Sequence, residues 1–313
     1  MLFFVFIDKM GKIKRKENIF LYEELMRFIK YSSKEEFLKD NLEILQKEEA
    51  KNEIMIGILQ EHSEDKISNW FMGRVESGSE VKAIFLVEDD RKGLLLYSPE
   101  GELEDEICEH IILNIIENDI HLDEILTSEK NSLKLGKEYS KRVNKEMYVE
   151  QNMFVLYMDE IEENKLLKDD EKIEKLEKET VDYDILKKNI KEMYQDNFRG
   201  RECSDEEASK VAEAFLRKGI YVLKNGNNDI VSQAVTVRKQ VNGCAIGGVI
   251  TFNEYRGFGY ATRLVYTLCQ QLLKDKYKFV VLHVNSKNEA ANAVYNKIGF
   301  RKIDETAKIK FIK

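Results

Sequence analysis

Along this chain the apolar positions switch between a helical period and strict alternation, and the switches set an order of elements. The stretch "SSKEEFLKDNLEILQKEEAKNEIMIGILQE" carries Phe37, Leu38, Ile44 and Leu45 as a helical stripe. It opens on Ser33 with Glu36, a capping-box pattern, and its length predicts two helices in succession. Next, "WFMGRVESGSEVKAIFLVEDDRKGLLLYSP" predicts three short strands with turns at 77–79 and 89–93, an antiparallel meander. A helix over "ELEDEICEHIILNIIEN" follows, then a short strand near "LDEILT", a helix near "SLKLGKEYSKRV" and a strand over "MYVEQNMFVLYM".

Residues 159–180, "DEIEENKLLKDDEKIEKLEKET", break the pattern with alternating charges and few apolar residues. Such a run suits an exposed helix or a mobile linker, and it marks a domain boundary. Beyond it the same order of elements recurs. "SDEEASKVAEAFLRKG" again opens with a capping box, Ser204 with Glu207, and strands follow over "IYVLKN", "IVSQAVTVRK" and "CAIGGVITF". A helix over 257–274 has Ala261, Leu264, Val265, Leu268 and Leu272 on one face. "KFVVLHV" is nearly continuous in apolar residues, as a strand buried on both faces should be. A helix over 288–298 and a last strand, "FRKIDETAKIKFI", complete the series. The two halves therefore read as copies of one architecture of mixed α and β elements.

Composition adds bounds to this picture. At 313 residues, two domains are expected rather than one core. An apolar share of 43% beside 35% charged residues marks a globular chain. Cys108, Cys203, Cys244 and Cys269 are scattered, with no CxxC pair and no histidine at ligand spacing. Neither a metal site nor a disulfide framework is indicated, and buried free thiols in a reducing cytoplasm are expected. The opening "MLFFVFIDKMGKIK" is interrupted by Asp8 and lacks a basic leader region and a cleavage site, so it reads as a strand. No stretch approaches the roughly 18 apolar residues of a membrane span. A net charge of −8 argues against a general nucleic-acid binder. Residues 238–313, however, hold 14 Lys and Arg against 5 Asp and Glu. That basic block suits an anionic ligand or a solvated lysine face.

Chemistry concentrates in "EYRGFGYATRL", where a strand runs into a turn and the turn opens a helix. The first N–H groups of a helix have no internal partner and lie at the positive end of its dipole. They make a ready anion site. Gly257 and Gly259 permit close approach to the backbone, and Arg256 can add a charged contact. A P-loop would need lysine and then serine or threonine after its second glycine, where Tyr260 and Ala261 stand. A dinucleotide fingerprint would need a third glycine and a later acidic residue, and the chain offers Thr262 and then His283 or Asn285.

"RGFGYA" resembles the pyrophosphate-binding motif of the GNAT superfamily of N-acetyltransferases, Q/R-x-x-G-x-G/A, with Arg256, Gly259 and Ala261 at its key positions. Downstream, "NEAANAVYNKIGF" is similar to the family's second signature, N-x-x-A-x-x-x-Y-x-x-x-G-F, through Asn288, Ala291, Tyr295, Gly299 and Phe300. The resemblance implies transfer of an acetyl group from acetyl-CoA to a primary amine. It implies that the Arg256 side chain and the amides of Gly257, Phe258, Gly259, Tyr260, Ala261 and Thr262 hold the pyrophosphate. Val249, Ile250 and Thr251 would pair with the pantetheine arm, Asn288 would bind that arm from the other side, and a backbone N–H on that strand would polarise the thioester carbonyl. Tyr295 would protonate the departing thiolate, against the alternative of an aromatic packed under the last strand. No base is identified: the strand carries Gly247 and Gly248 where many members have a glutamate, Glu254 lies nearby, and a lone histidine such as His283 is commonly a core residue.

In the first half the corresponding stretch is "YSPEGELEDEI", whose acidic residues would repel a pyrophosphate. The pattern is similar to tandem GNAT proteins with a degenerate first domain. The expected layout is a degenerate GNAT-like domain over 1–160, a charged linker or helix over 161–180 and a catalytic domain over 181–313. Each domain would be a mixed, mostly antiparallel sheet flanked by helices. A cytoplasmic bacterial enzyme acting on a small-molecule amine, without metal, membrane or nucleic-acid partners, is the leading expectation. A non-catalytic acyl-CoA sensor and a protein or peptide N-acetyltransferase are the alternatives.

Overall fold

The structure, a computed structural model, describes residues 26–89, 92–197 and 202–312. The strand expected over "MLFFVF" lies outside the described residues. The elements run β1 (Met26–Tyr31), α1 (Lys34–Lys47), α2 (Glu53–Glu61), α3 (Glu64–Ile67), β2 (Phe71–Ser77), β3 (Glu80–Val87) and β4 (Gly93–Tyr97). Then come α4 (Asp105–Glu117), β5 (Glu124–Ser128), α5 (Glu129–Val143), β6 (Met147–Met158), β7 (Lys172–Lys175), α6 (Tyr183–Asn197) and α7 (Asp205–Lys218). The series ends with β8 (Ile220–Lys224), β9 (Ile230–Lys239), β10 (Gly243–Thr251), a 3-10 turn (Asn253–Tyr255), α8 (Tyr260–Asp275), β11 (Phe279–Asn285), α9 (Glu289–Lys297) and β12 (Arg301–Phe311).

Two compact units result. One holds 26–44, Ser63–Glu150 and 307–312; the other holds Leu45–His62 and Gln151–Thr306. The divisions fall at 44–45, 62–63, 150–151 and 306–307. The charged run expected as a linker or helix contains β7, which pairs antiparallel with β8 from Lys172↔Lys224 to Lys175↔Tyr221. An edge strand of this kind is held by backbone bonds whatever its side chains, and Glu174 takes Lys172 and Lys224 at 2.6 and 2.7 Å.

In the first unit β2, β3 and β4 form the expected antiparallel meander, β1, which the pattern did not mark, adds antiparallel to β2, and β5 joins parallel to β4 after the crossover through α4. Ile107, Ile111, Ile112 and Ile115 bury one stripe of α4 against Val75, Phe85, Leu94, Leu135 and Tyr139. Truncating Ile111, which has no exposed surface, to alanine should cost about 2–5 kcal/mol.

The second unit has the strand order β6-β11-β10-β9-β8-β7, with β12 beside β6. Its helix α8 is the crossover between β10 and β11, which run parallel. Leu264, Val265, Leu268 and Leu272 bury the face of α8 against Cys244, Val280 and Leu282. Helix α7 starts on a complete Ser204–Glu207 capping box, and it packs with α6 over Val235 through Leu186, Ile190, Ala208 and Ala212. All four cysteines are buried and free. Burial pushes the thiols of Cys108 and Cys244 up to about 12. Among the described residues no helix is long and apolar enough to cross a membrane.

Candidate functional site

The site is built where β10 meets α8. Strand β10 pairs with β11 only from Gly243↔Phe279 to Ala245↔Val281, although both strands continue further. Beyond Ala245 the two parallel strands therefore part. On its other side β10 pairs with β9 as Gly247↔Val235 and then Ile250↔Gln233, so Gly248 and Val249 together oppose one residue. Such a bulge re-aims backbone groups and bends the strand.

After the 3-10 turn, Gly257 has φ +83° and Gly259 has φ +76°, the left-handed region where a side chain is strained. Nothing lies within 4 Å of where a Cβ on Gly257 would stand. Gly259 is the N-cap of α8 and has no side chain to occupy the first-turn N–H groups of the helix. Open space before bare amides at a dipole's positive end is what an anion requires. Arg256 is exposed beside them, its Nε donating to the Thr251 carbonyl at 3.0 Å. Phe258 is 65% exposed at the tip.

Arg263 and Glu171, which the motif does not mark, hold this turn. Arg263 Nη1 donates to the Phe258 carbonyl at 2.8 Å, while Nε and Nη2 each donate to the Glu171 carboxylate at 2.7 Å. Its guanidinium also lies 4.7 Å from the Tyr260 ring centroid. Burial alone would raise the Glu171 carboxyl, but Arg263 and the Lys168 N–H bring it below the usual range. Local pattern holds no signal for this pair, because 92 residues separate the partners.

The other expected residues lie on β10, α8 and α9. Val249 and Tyr260 pack against the same core cluster that contains Tyr295, and Ala261 is half-buried in the first turn of α8. The Ile250 carbonyl accepts from Ser232 Oγ at 2.7 Å, and Thr251 Oγ1 lies 3.2 Å from that hydroxyl. Thr262 is half-buried in the first turn of α8. Asn288 caps α9, its side-chain oxygen accepting from the Ala291 N–H at 3.1 Å, which leaves its NH2 to other partners. Tyr295 is 7% exposed and meets Phe300 edge to face at 5.8 Å. Burial pushes its phenol well above the usual tyrosine range. Glu254 is exposed on the 3-10 turn.

A cavity of about 650 Å³ opens beside this turn, lined by Ile185, Asn189, Glu192, Phe252, Asn253 and Tyr255 among others. A larger one, about 880 Å³, lies along the C-terminal half of α8 and does not include the glycine turn. Among the described residues no group of three or more His, Cys, Asp or Glu is placed to hold a metal ion.

Residues 227–309, which span the bulge, the glycine turn and Tyr295, match the family model described as FR47-like protein. No curated protein matches the chain. Among solved structures, a GCN5-related N-acetyltransferase from Sphaerobacter thermophilus is similar at 14% identity, over 77% of this chain and 81% of that one, with a TM-score of 0.54. A Drosophila protein is similar at 10% identity over 92% and 98% of the two chains, TM-score 0.60. A tandem GNAT protein from the clavulanic acid biosynthesis pathway is similar at 10% identity over 91% and 98%, TM-score 0.50. The fold is the mixed α/β architecture of the GNAT acetyltransferase structures.

Proposed function

We propose that this protein is an acetyl-CoA-dependent N-acetyltransferase with one active site, in the second unit, acting on a primary amine of a small molecule. The observation that carries this reading is the junction of a bulged β10, parted from β11 beyond Ala245, with an uncapped glycine turn at the start of α8.

The residues fit the group. The amides of 257–262 and the Arg256 side chain would hold the pyrophosphate, and the end of β10, Val249–Ile250–Thr251, would face the pantetheine arm with the Asn288 NH2 opposite. When bound, acetyl-CoA supplies the activated thioester. The backbone N–H groups released at the Gly248–Val249 bulge are suited to stabilise charge that develops on the carbonyl oxygen. Tyr295, kept protonated by its burial, can give its proton to the departing sulfur.

Among its described residues the first unit lacks these features. Its parallel β4–β5 ladder also ends after three pairs, at Leu95↔Leu126, but Thr127 Oγ1 then donates to the Leu96 carbonyl at 2.7 Å. The loop before α4 is occupied as well: Asn131 accepts from the Leu103 N–H and donates to the Gly101 carbonyl, each at 2.8 Å. Glu100 and Glu102 pair there with lysines. We read this unit as a GNAT-like domain without a cofactor site.

Mixing the protein with acetyl-CoA and a panel of small amines, while measuring free thiol, tests the proposal. Amine-dependent thiol release is expected; cofactor binding without release for any amine overturns it in favour of an acyl-CoA sensor. The deep packing of Tyr295 is the observation that favours that second reading. Tyr295→Phe separates the two: a rate loss of about 100-fold with cofactor affinity kept supports catalysis.

A further inference from the structure

We propose that His283 and Glu53 form the proton-accepting pair of this active site, with His283 taking a proton from the acceptor amine at Nδ1 and Glu53 holding Nε2. The assignment rests on the acetyltransferase reading above. It gives the site a base, and half of that base comes from Leu45–His62, a segment remote in sequence from the cofactor motifs but part of the same unit.

The alternation along β11 locates His283. Val280, Leu282 and Val284 pack into the core beneath α8, while Val281 packs with Ala245 and Ala50 on the opposite face. His283 follows Val281 on that opposite face, two residues past the last β10–β11 pair. Its imidazole therefore stands beyond the last β10–β11 pair, on the face opposite α8 and beside Glu53 of α2. Strand β10 presents only Gly247 and Gly248 at this level, so it offers no side chain that could accept a proton.

The surroundings of the ring are those of an oriented base. Nε2 lies 3.0 Å from Glu53 Oε1. Both ring nitrogens are buried, and among the described residues neither makes a hydrogen bond of regular geometry, so Nε2 meets Glu53 as a close charge contact and Nδ1 faces no polar partner. A carboxylate at one nitrogen favours the tautomer with its proton there and leaves the other nitrogen's lone pair free. The side chain keeps 11% of its surface exposed, although neither nitrogen reaches solvent, so the acceptor amine would have to enter between the parted strands to meet Nδ1.

Glu53 is itself fixed. Arg238 donates to it through Nε at 2.6 Å and Nη2 at 2.7 Å, and Gln240 Nε2 donates at 3.3 Å. A Cβ on Gly57 would stand 2.9 Å from Arg238 Cδ, so α2 rests directly on that side chain. Burial alone would raise the Glu53 carboxyl, but Arg238 and His283 hold it at about 2. The carboxylate thus stays charged, and a transferred proton stays on the imidazole. The charged groups that act on His283 are Glu53 from α2, itself held by Arg238 from β9, and Asp304 from β12; from β6 it pairs with Val155.

The step balances without a further reactant. The acceptor ammonium gives one proton to Nδ1, and the freed lone pair forms the C–N bond. The C–S bond breaks with its electron pair passing to sulfur. Nitrogen's second proton is replaced on sulfur through Tyr295, and the imidazolium returns its proton to solvent.

The test compares wild type, His283→Gln and Glu53→Gln in the full chain, using the best amine of the panel from pH 5.5 to 9. For His283→Gln the expected result is a kcat about 100-fold lower at neutral pH. Coenzyme A affinity should stay within twofold, and rate should be regained as the free amine accumulates at high pH. Glu53→Gln should move the acidic limb to lower pH, because the imidazolium loses its counter-charge; a merely structural role leaves the limb in place. Should Glu53→Gln fail to fold, Glu53→Asp reads the same limb with the charge kept and the reach shortened. Imidazole NMR gives a second readout: the chain has 4 histidines, and the signal absent from His283→Gln should show a neutral ring protonated at Nε2. An Nδ1-protonated ring, or a His283→Gln rate within twofold of wild type across the range, overturns the assignment and leaves the acetyltransferase intact. If wild type releases no thiol with any amine, the proposed function falls and this assignment falls with it.

Discussion

The guanidinium of Arg263 grips the carboxylate of Glu171 through two hydrogen bonds of 2.7 Å while its third arm holds the Phe258 carbonyl. The glycine turn is thereby braced from β7's end of the unit. Arg263→Lys removes the fork but keeps a charge. The expected outcome is a folded protein whose coenzyme A dissociation constant rises about tenfold, roughly one lost hydrogen bond. Glu171→Gln, which strands a desolvated guanidinium, should lower unfolding stability by about 3 kcal/mol in urea titration.

Gly259→Ala places a Cβ 3.1 Å from Arg263 Nη1 at a residue with φ +76°. Strain of about 1–2 kcal/mol is expected in thermal or urea unfolding. The turn must shift to accommodate it, so coenzyme A binding by calorimetry should weaken more than stability does. Gly257→Ala meets open space and should cost only the backbone strain.

Asn288 serves the fold as the cap of α9, and the proposal gives its NH2 a second role. Asn288→Ala should cost about 1 kcal/mol of stability. Asn288→Asp keeps an oxygen for the Ala291 N–H and loses the donor. Preserved melting temperature with weaker coenzyme A binding is the expected result; unchanged binding reduces Asn288 to a cap.

Acid should loosen the second unit through Glu53. Its folded-state carboxyl is held at about 2, against about 4.3 for a free glutamate. Because the folded value is depressed, the stabilisation is fully present above about pH 5 and fades as the pH falls towards 2. The linkage is worth about 3 kcal/mol. Urea unfolding at a series of pH values should show this loss in wild type and a flatter acid dependence in Glu53→Gln.

Much of the chain's order was legible because its signals are local. Ser204 and Glu207 sit three residues apart and form the capping box that spacing predicts. The strands of the first meander pair in chain order, β2 with β3 and β3 with β4, and α8 buries Leu264, Val265, Leu268 and Leu272 as its stripe predicts. Helix α6 escaped notice, since Leu186, Ile190 and Met193 form a narrow stripe inside a strongly charged stretch. Strand β7 has no stripe at all: it exists because β8 offers backbone partners.

Residue order alone thus settled the periodic elements, their caps and the glycine turn, because dihedral preference and amphipathic spacing act over a few positions. The bracing of that turn by Glu171, and the meeting of Glu53 with Arg238 and His283, belong to the tertiary structure. A buried carboxylate survives only where a cation and donors reach it from other elements, and over 185 residues of intervening chain only the packing of α2 on β9 can bring them together.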